Sequence, residues 1–223
     1  MTVDGSGNLV IATSKQRVRV VAVTTGTFYG QAMTAGDIYT VAGSGGTGFV
    51  GDGGPATKAH VVNPQSVTVD PQGNLVIADT GNNRIRVVPG TAGTFYGQAM
   101  TAGDIYTVAG GGTGGLGDGG PATSAQLTGP WGATLDSSGN LVIADTGDSL
   151  IRVVAETTAT FYGQAMTAGD IYTVAGNGSV GFSGDGGPAT SAWLSGPEAV
   201  ITGPASDVLI SDTGNGRVRE VAG

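Results

Sequence analysis

The sequence predicts an all-β protein, a β-propeller with about four four-stranded blade units, the last of them incomplete. Three observations carry that prediction. The phrase TFYGQAMTAGDIYTVAG stands unchanged at 27–43, 94–110 and 160–176. Other phrases recur in step with it: GNLVIA starts at 7, 73 and 139, and GDGGPAT at 51, 117 and 184. Between them lie short β-branched runs bounded by Gly, Asn, Asp and Pro, the pattern of strands joined by tight turns. A fixed period means one supersecondary unit stacked on copies of itself, and four antiparallel strands per unit suit the blades of a propeller.

The units run approximately 1–43, 44–110, 111–176 and 177–223, within a single propeller domain. In the second, SVTVD (66–70) passes through PQG to NLVIAD (74–79), TGNN leads to RIRVV (84–88), and a longer connection reaches DIYTVA (104–109). The run LVIA is apolar on both faces, as a strand covered on both sides requires. RIRVV places Arg84 and Arg86 on one side and Ile85 on the other, which predicts a strand nearer solvent. No segment has apolar residues at helical spacing, so helix is expected to be nearly absent. The Gly/Asp-rich stretches also resemble calcium-binding β-helix repeats, but that fold needs tandem nonapeptides, and here the stretch occurs once per period.

Composition narrows the function classes. Gly accounts for 43 of 223 residues and charged residues for 12%, yet the apolar runs can bury enough surface for a folded, turn-rich protein. The net charge of −8 argues against nucleic acid, whose backbone needs clustered Lys and Arg. No apolar run is long enough to insert in a membrane. There is no cysteine, so thiol chemistry is excluded. The chain opens inside a repeat, at MTVDGSGNLV, without the marks of a signal peptide; this leaves room for an upstream leader or further repeats in a longer parent protein. The fourth unit runs through only three strands, and open strand edges invite pairing. The expected states are therefore a small closed ring, a homo-oligomer formed through open blade edges, or a fragment of a longer propeller.

The segment GDGGPATSAQLTGPWGATLDSSGNLVIADTGDSLIRVV (117–154) resembles an NHL repeat, as do 51–88 and 184–221. The phrase NLVIADTGNNRIRVV carries the resemblance most specifically. It implies a propeller whose first strands line a central channel. The chain departs from the simple NHL unit by an insert, TTGTFYGQAMTAG and its copies, between third and fourth strands. That insert is expected to fold as a hairpin that packs between neighbouring blades.

Candidate site residues fall into three sets. Asp79, Asp145 and Asp212 end the second strands and are expected on one face with Asp52, Asp118 and Asp185. A ring of carboxylates could hold calcium, a cation that favours several oxygen ligands; alternatively, each Asp accepts hydrogen bonds from its own turn amides. Thr13 breaks the ring in the first unit. Gln65, Trp131 and Glu198 follow the Pro that leads into each first strand, at the expected channel mouth. His60, Gln126 and Trp193 share one equivalent loop position. These six positions differ while the scaffold around them is copied, as on a ligand-reading face; loop drift predicts the same, and either Trp could equally cap the core.

Catalytic signatures are sparse. His60 is the only histidine, no GxSxG elbow occurs, and neither GSGGTG nor GGGTGG is followed by Lys-Ser/Thr. NGS at 177–179 matches a glycosylation acceptor, or simply a turn. The leading expectation is a non-enzymatic bacterial, secreted or cell-surface binding module for a protein or glycan. The alternatives are a divalent-cation-dependent lyase or hydrolase at the channel, and a structural repeat that self-assembles through its edges. Some propellers related to the NHL family are such enzymes, but their metal-binding histidines have no counterpart here.

Overall fold

The repeats fold as antiparallel sheets whose main strands pair in chain order; tight turns join the first three, and the inserted segment leads to the fourth where one follows. A computed structural model describes residues 1–203 and 206–222; positions 204, 205 and 223 of the fourth repeat lie outside the described residues. The contacts divide the chain into two compact units, Met1–Val108 and Ala109–Gly223.

The first unit holds sheets 1 and 2. Sheet 1 runs Thr2–Val3, Leu9–Thr13, Arg17–Val21, Ile38–Ala42. Sheet 2 runs Ser66–Val69, Leu75–Asp79, Arg84–Val88, Asp104–Gly110, and adds the two-residue strand Gly54–Pro55 outside the fourth. The second unit repeats the plan. Sheet 3 has Ala133–Leu135, Leu141–Asp145, Leu150–Val154, Asp170–Ala175 and the outer Gly120–Pro121, whereas sheet 4 has Pro197–Thr202, Val208–Asp212 and Arg217–Val221. The Gly-Pro strand was not legible in the sequence, because two residues carry no periodicity. It forms because Gly53 N donates to Ile105 O and Ala56 N to Gly103 O. Helix among the described residues is confined to three-residue 3-10 turns, and no helix there is long and apolar enough to cross a membrane.

Local signals placed the turns. In sheets 2, 3 and 4 the second-to-third turn is a 3-10 turn (Thr80–Asn82, Thr146–Asp148, Thr213–Asn215) closed by a left-handed residue, Asn83, Ser149 or Gly216. The inserted phrase forms hairpins, Gly26–Phe28 with Gln31–Met33, Gly93–Phe95 with Gln98–Met100, and Ala159–Phe161 with Gln164–Met166. Tyr29, Tyr96 and Tyr162 turn them at φ near 50°, a conformation bulky side chains rarely adopt. An anchor holds two of them: Tyr29 Oη donates to Asp4 Oδ2 and Tyr162 Oη to Asp136 Oδ2, each at 2.9 Å. In the first unit, Tyr29 and Met33 pack with Val67, Leu75, Ile77 and Ile105 of sheet 2. In the second, Met166 packs with Leu194, Val200 and Ile210 of sheet 4. The first and third inserts are wedges between neighbouring blades of their own units.

The third strands depart from expectation. Arg84–Val88 and Leu150–Val154 are core strands, with Arg86 and Arg152 fully buried. Alternation of Arg and Ile suggests a solvent face only if the cations lack partners inside, and both have them. The adjoining blades of the second unit are tied at two points: Thr146 Oγ1, in the second-to-third turn of sheet 3, donates to Pro197 O at 2.6 Å, and Thr202 Oγ1 donates to Leu135 O at 2.7 Å. Between these ties a Cβ on Gly132 would lie 2.5 Å from Glu198 O. Gly132→Ala therefore forces the two strands apart, and a loss of about 1–3 kcal/mol is expected from such overpacking, read as a lowered urea midpoint.

Candidate functional site

Six aspartates predicted to share a face instead frame three arginines. Arg86 Nη2 meets Asp52 Oδ1 at 2.7 Å and its Nη1 meets Asp79 Oδ2 at 3.3 Å. Arg152 bridges Asp118 (2.6 Å) and Asp145 (3.5 Å), and Arg219 bridges Asp185 (2.6 Å) and Asp212 (3.7 Å). A guanidinium suits this place because its planar fork can serve two carboxylates at once. Phe49 stacks over Arg84, 3.6 Å from its guanidinium carbon, and Phe182 over Arg217 at 3.8 Å. In sheet 3 the equivalent positions are Leu150 and Gly115, so the cation and its aromatic cover are absent together.

The other oxygen of each inner Asp holds the loop that enters the blade. Val62 N, Thr128 N and Ser195 N donate to Oδ1 of Asp79, Asp145 and Asp212 at 2.7, 2.8 and 2.7 Å. These amides lie 17 residues upstream, not in the turns the sequence suggested, because the entering loop folds back over the strand ends. Asp79 and Asp212 also accept from Asn82 and Asn215. Among the described residues no group of three His, Asp or Glu side chains could hold a metal. Asp79, Asp145 and Asp212 are fully buried with a guanidinium and an amide against their oxygens. This donor set does not fit calcium, which takes roughly six to eight oxygen ligands.

In sheet 3 the Asn donor is replaced by Asp148. Burial, joined by the Asp148 charge, pushes the Asp145 carboxyl up to about 7, against the Thr128 amide and Arg152. Burial also raises Asp79, but there Asn82 opposes it most strongly.

The variable positions separate into two groups. His60, Gln126 and Trp193 lie along the Gly-rich loops: His60 N donates to Val50 O and Gln126 N to Gly115 O, and Ser183 bridges Trp193. His60 Nδ1 donates to Thr47 O at 2.7 Å, and its carbonyl accepts from Arg86. The Trp193 carbonyl likewise accepts from Arg219, while its indole is 44% exposed. Gln65 and Trp131 lead into first strands, their amides donating to Ala78 O and Ala144 O; Trp131 is 38% exposed. Glu198 is the bulge residue between Pro197 and Ala199. Gly132 brings the Trp131 and Glu198 segments into backbone contact. Asn177 closes its own turn by accepting from Ser179 N.

The arginines were the residues that sequence reasoning missed. Each lies 34 residues after its outer Asp and 7 after its inner one, a constant spacing that could have found them.

The family model for the NHL repeat matches residues 62–88 and 127–154. The chain carries NHL repeats. Its sheets are blades of an NHL-type β-propeller, and solved structures share that fold. A structural genomics protein of unknown function from Bacteroides thetaiotaomicron is similar at 16% identity and a TM-score of 0.67, over 99% of this chain and 46% of that one. An auxiliary nutrient binding protein from the same organism is similar at 16% identity and TM-score 0.60, over 97% and 45%. A streptogramin B lyase is similar at 11% identity and TM-score 0.53, over 99% and 52%. The NHL chain thus spans about half the length of these structures. No curated protein matches its sequence.

Two outcomes follow from the NHL blade's ion network. Arg86→Met leaves Asp79 buried beside no cation and should cost about 3–5 kcal/mol in chemical denaturation. Asp148→Asn restores the donor that Asp145 lacks. With its carboxyl raised, folded Asp145 binds more protons than in the unfolded chain between about pH 4 and 7, so its contribution to stability falls as pH rises through that window and stays low above it. The variant should gain about 1 kcal/mol at pH 8 and flatten the dependence, as thermal unfolding at pH 4.5 and 8 would read.

Proposed function

We propose that this NHL propeller chain is a binding module for a protein or glycan ligand, with the Trp131–Glu198 edge as its reading surface. One observation carries the reading: Trp131 stands exposed in the segment that enters the strand Ala133–Leu135, while the residues after it, Gly132 and Ala133, are buried. An indole held by rigid backbone loses little entropy on meeting a ligand, and its face suits an apolar sugar face or a partner's side chain. Glu198, on the adjoining first strand, supplies an acceptor for hydroxyl or amide donors. The same repeat position carries Gln65 in sheet 2, so chemistry differs from blade to blade on a common frame. The buried aspartates and arginines hold loops in place, which gives the variable positions a fixed backbone. The likeness to an auxiliary nutrient binding protein supports the reading at the level of fold.

Titration of the chain with neutral oligosaccharides and peptides, followed by tryptophan emission, tests this function. Trp131→Ala should weaken the best ligand by about tenfold or more, as loss of an interface anchor does, at an unchanged melting temperature. Equal affinity in Trp131→Ala, or a loss confined to Trp193→Ala, overturns it.

A further inference from the structure

The first unit holds a pocket at the strand ends remote from the ion network, between the Tyr29 hairpin of sheet 1 and the first-to-second turn of sheet 2. It measures about 250 Å³, and its lining includes Ser6, Thr27, Phe28, Gln72 and Thr91. Glycine opens it. A Cβ on Gly5 or Gly73 would meet no atom within 4 Å, and Gly90 packs so closely that a Cβ there would lie 2.6 Å from Gly73 O. In the second unit Ser137 and Ser206 take the places of Gly5 and Gly73, and their hydroxyls bond to each other at 3.0 Å. The two turns are bridged there, whereas in the first unit the gap between them stays open.

Phe28 supplies a fixed wall. Its ring lies against Gly26, where a Cβ would stand 3.0 Å from Cζ, and its strand pairs with Gln31–Met33. The next residue, Tyr29, is buried and tied to Asp4. Asp4 is the one charged residue of the lining, and it is saturated. Its Oδ1 accepts from Ser6 N and Asn8 N, and its Oδ2 from Asn8 Nδ2 and Tyr29 Oη, each at 2.9 Å. An anion therefore finds no cation in the pocket, and a cation finds no free carboxylate oxygen. Ser6, Thr27, Gln72 and Thr91 are exposed and bring neutral donors and acceptors to the rim. Neutral polar groups beside an aromatic ring select a ligand with hydroxyls at its edge and C–H groups on its face. The volume falls below the roughly 300–1,000 Å³ of pockets that enclose drug-sized ligands, so it admits a single ring.

We propose that this pocket binds one neutral pyranose ring, either a free sugar or the end of a glycan. Phe28 meets the C–H face of the ring, and Ser6, Thr27, Gln72 and Thr91 bond its hydroxyls. A wall already fixed by its own hairpin needs little ordering when the sugar arrives. The site lies in the first unit and does not rest on the Trp131–Glu198 edge, which belongs to the second.

Amide NMR spectra of the full chain, titrated with the methyl glycosides of glucose, galactose and mannose and with cellobiose and lactose, test the inference. At least one methyl glycoside should give saturable shifts at the residues around the pocket, 4–6, 27–29, 71–73 and 90–91. A disaccharide that binds there as well as the matching methyl glycoside marks a glycan end as the ligand; one that is excluded marks a free sugar. Phe28→Ala should weaken binding about tenfold or more, as loss of an aromatic anchor does. Gly5→Gln fills the pocket at a position where Pro71 and Ser137 stand in other repeats, so it should abolish these shifts at an unchanged melting temperature. Trp131→Ala should leave them intact. Absence of shifts around the pocket with every glycoside, or equal affinity in Gly5→Gln, overturns the proposal. Shifts at Trp131 alone overturn it too, and leave the reading of that edge standing.

Discussion

Each complete blade of this protein depends on one buried cation held between two carboxylates. Desolvating a guanidinium is costly unless its geometry is well matched, so Arg86 can be core only because Asp52 and Asp79 close on it from different loops. That constraint organises the blade end. The outer Asp fixes the Gly-rich loop, the inner Asp fixes the entering loop through Val62 N, and the arginine locks both to the third strand. In sheet 1 Thr13 stands where the inner acid would be.

A second polar device works at the other end of the strands. In three repeats an Asp accepts the main-chain and side-chain N–H groups of an Asn four residues on: Asp4 with Asn8, Asp70 with Asn74, Asp136 with Asn140. The Asn oxygen in turn accepts an amide at the end of the third strand, from Val23, Gly90 and Glu156. The two networks clamp the connections of each sheet while β-branched side chains fill its middle. At the variable positions His60 and Trp193 the arginine network takes only the main-chain carbonyl, so the side chain can change while the backbone stays bound.

Copying the unit also copies its failures. Asp148 in place of Asn82 sets two carboxylates near each other, and the raised proton affinity of Asp145 is the consequence. One part of a repeated set changed there and its partners did not.

Much of the blade was legible from the chain alone. Period, strand order, the second-to-third turns and the wedge hairpins rest on signals within a few residues, such as TGNN after LVIAD, and such signals survive without knowledge of the fold. The aspartates were recognised as turn residues, but their partners lie 17 to 34 positions away. No local pattern says which amide or guanidinium arrives there. The same holds for RIRVV, which reads as half-exposed until Asp52 is brought against it, and for the segments of Trp131 and Glu198, whose backbones approach at Gly132. Local geometry along the chain determined the elements; burial and ion pairing were decided by which distant segments came together.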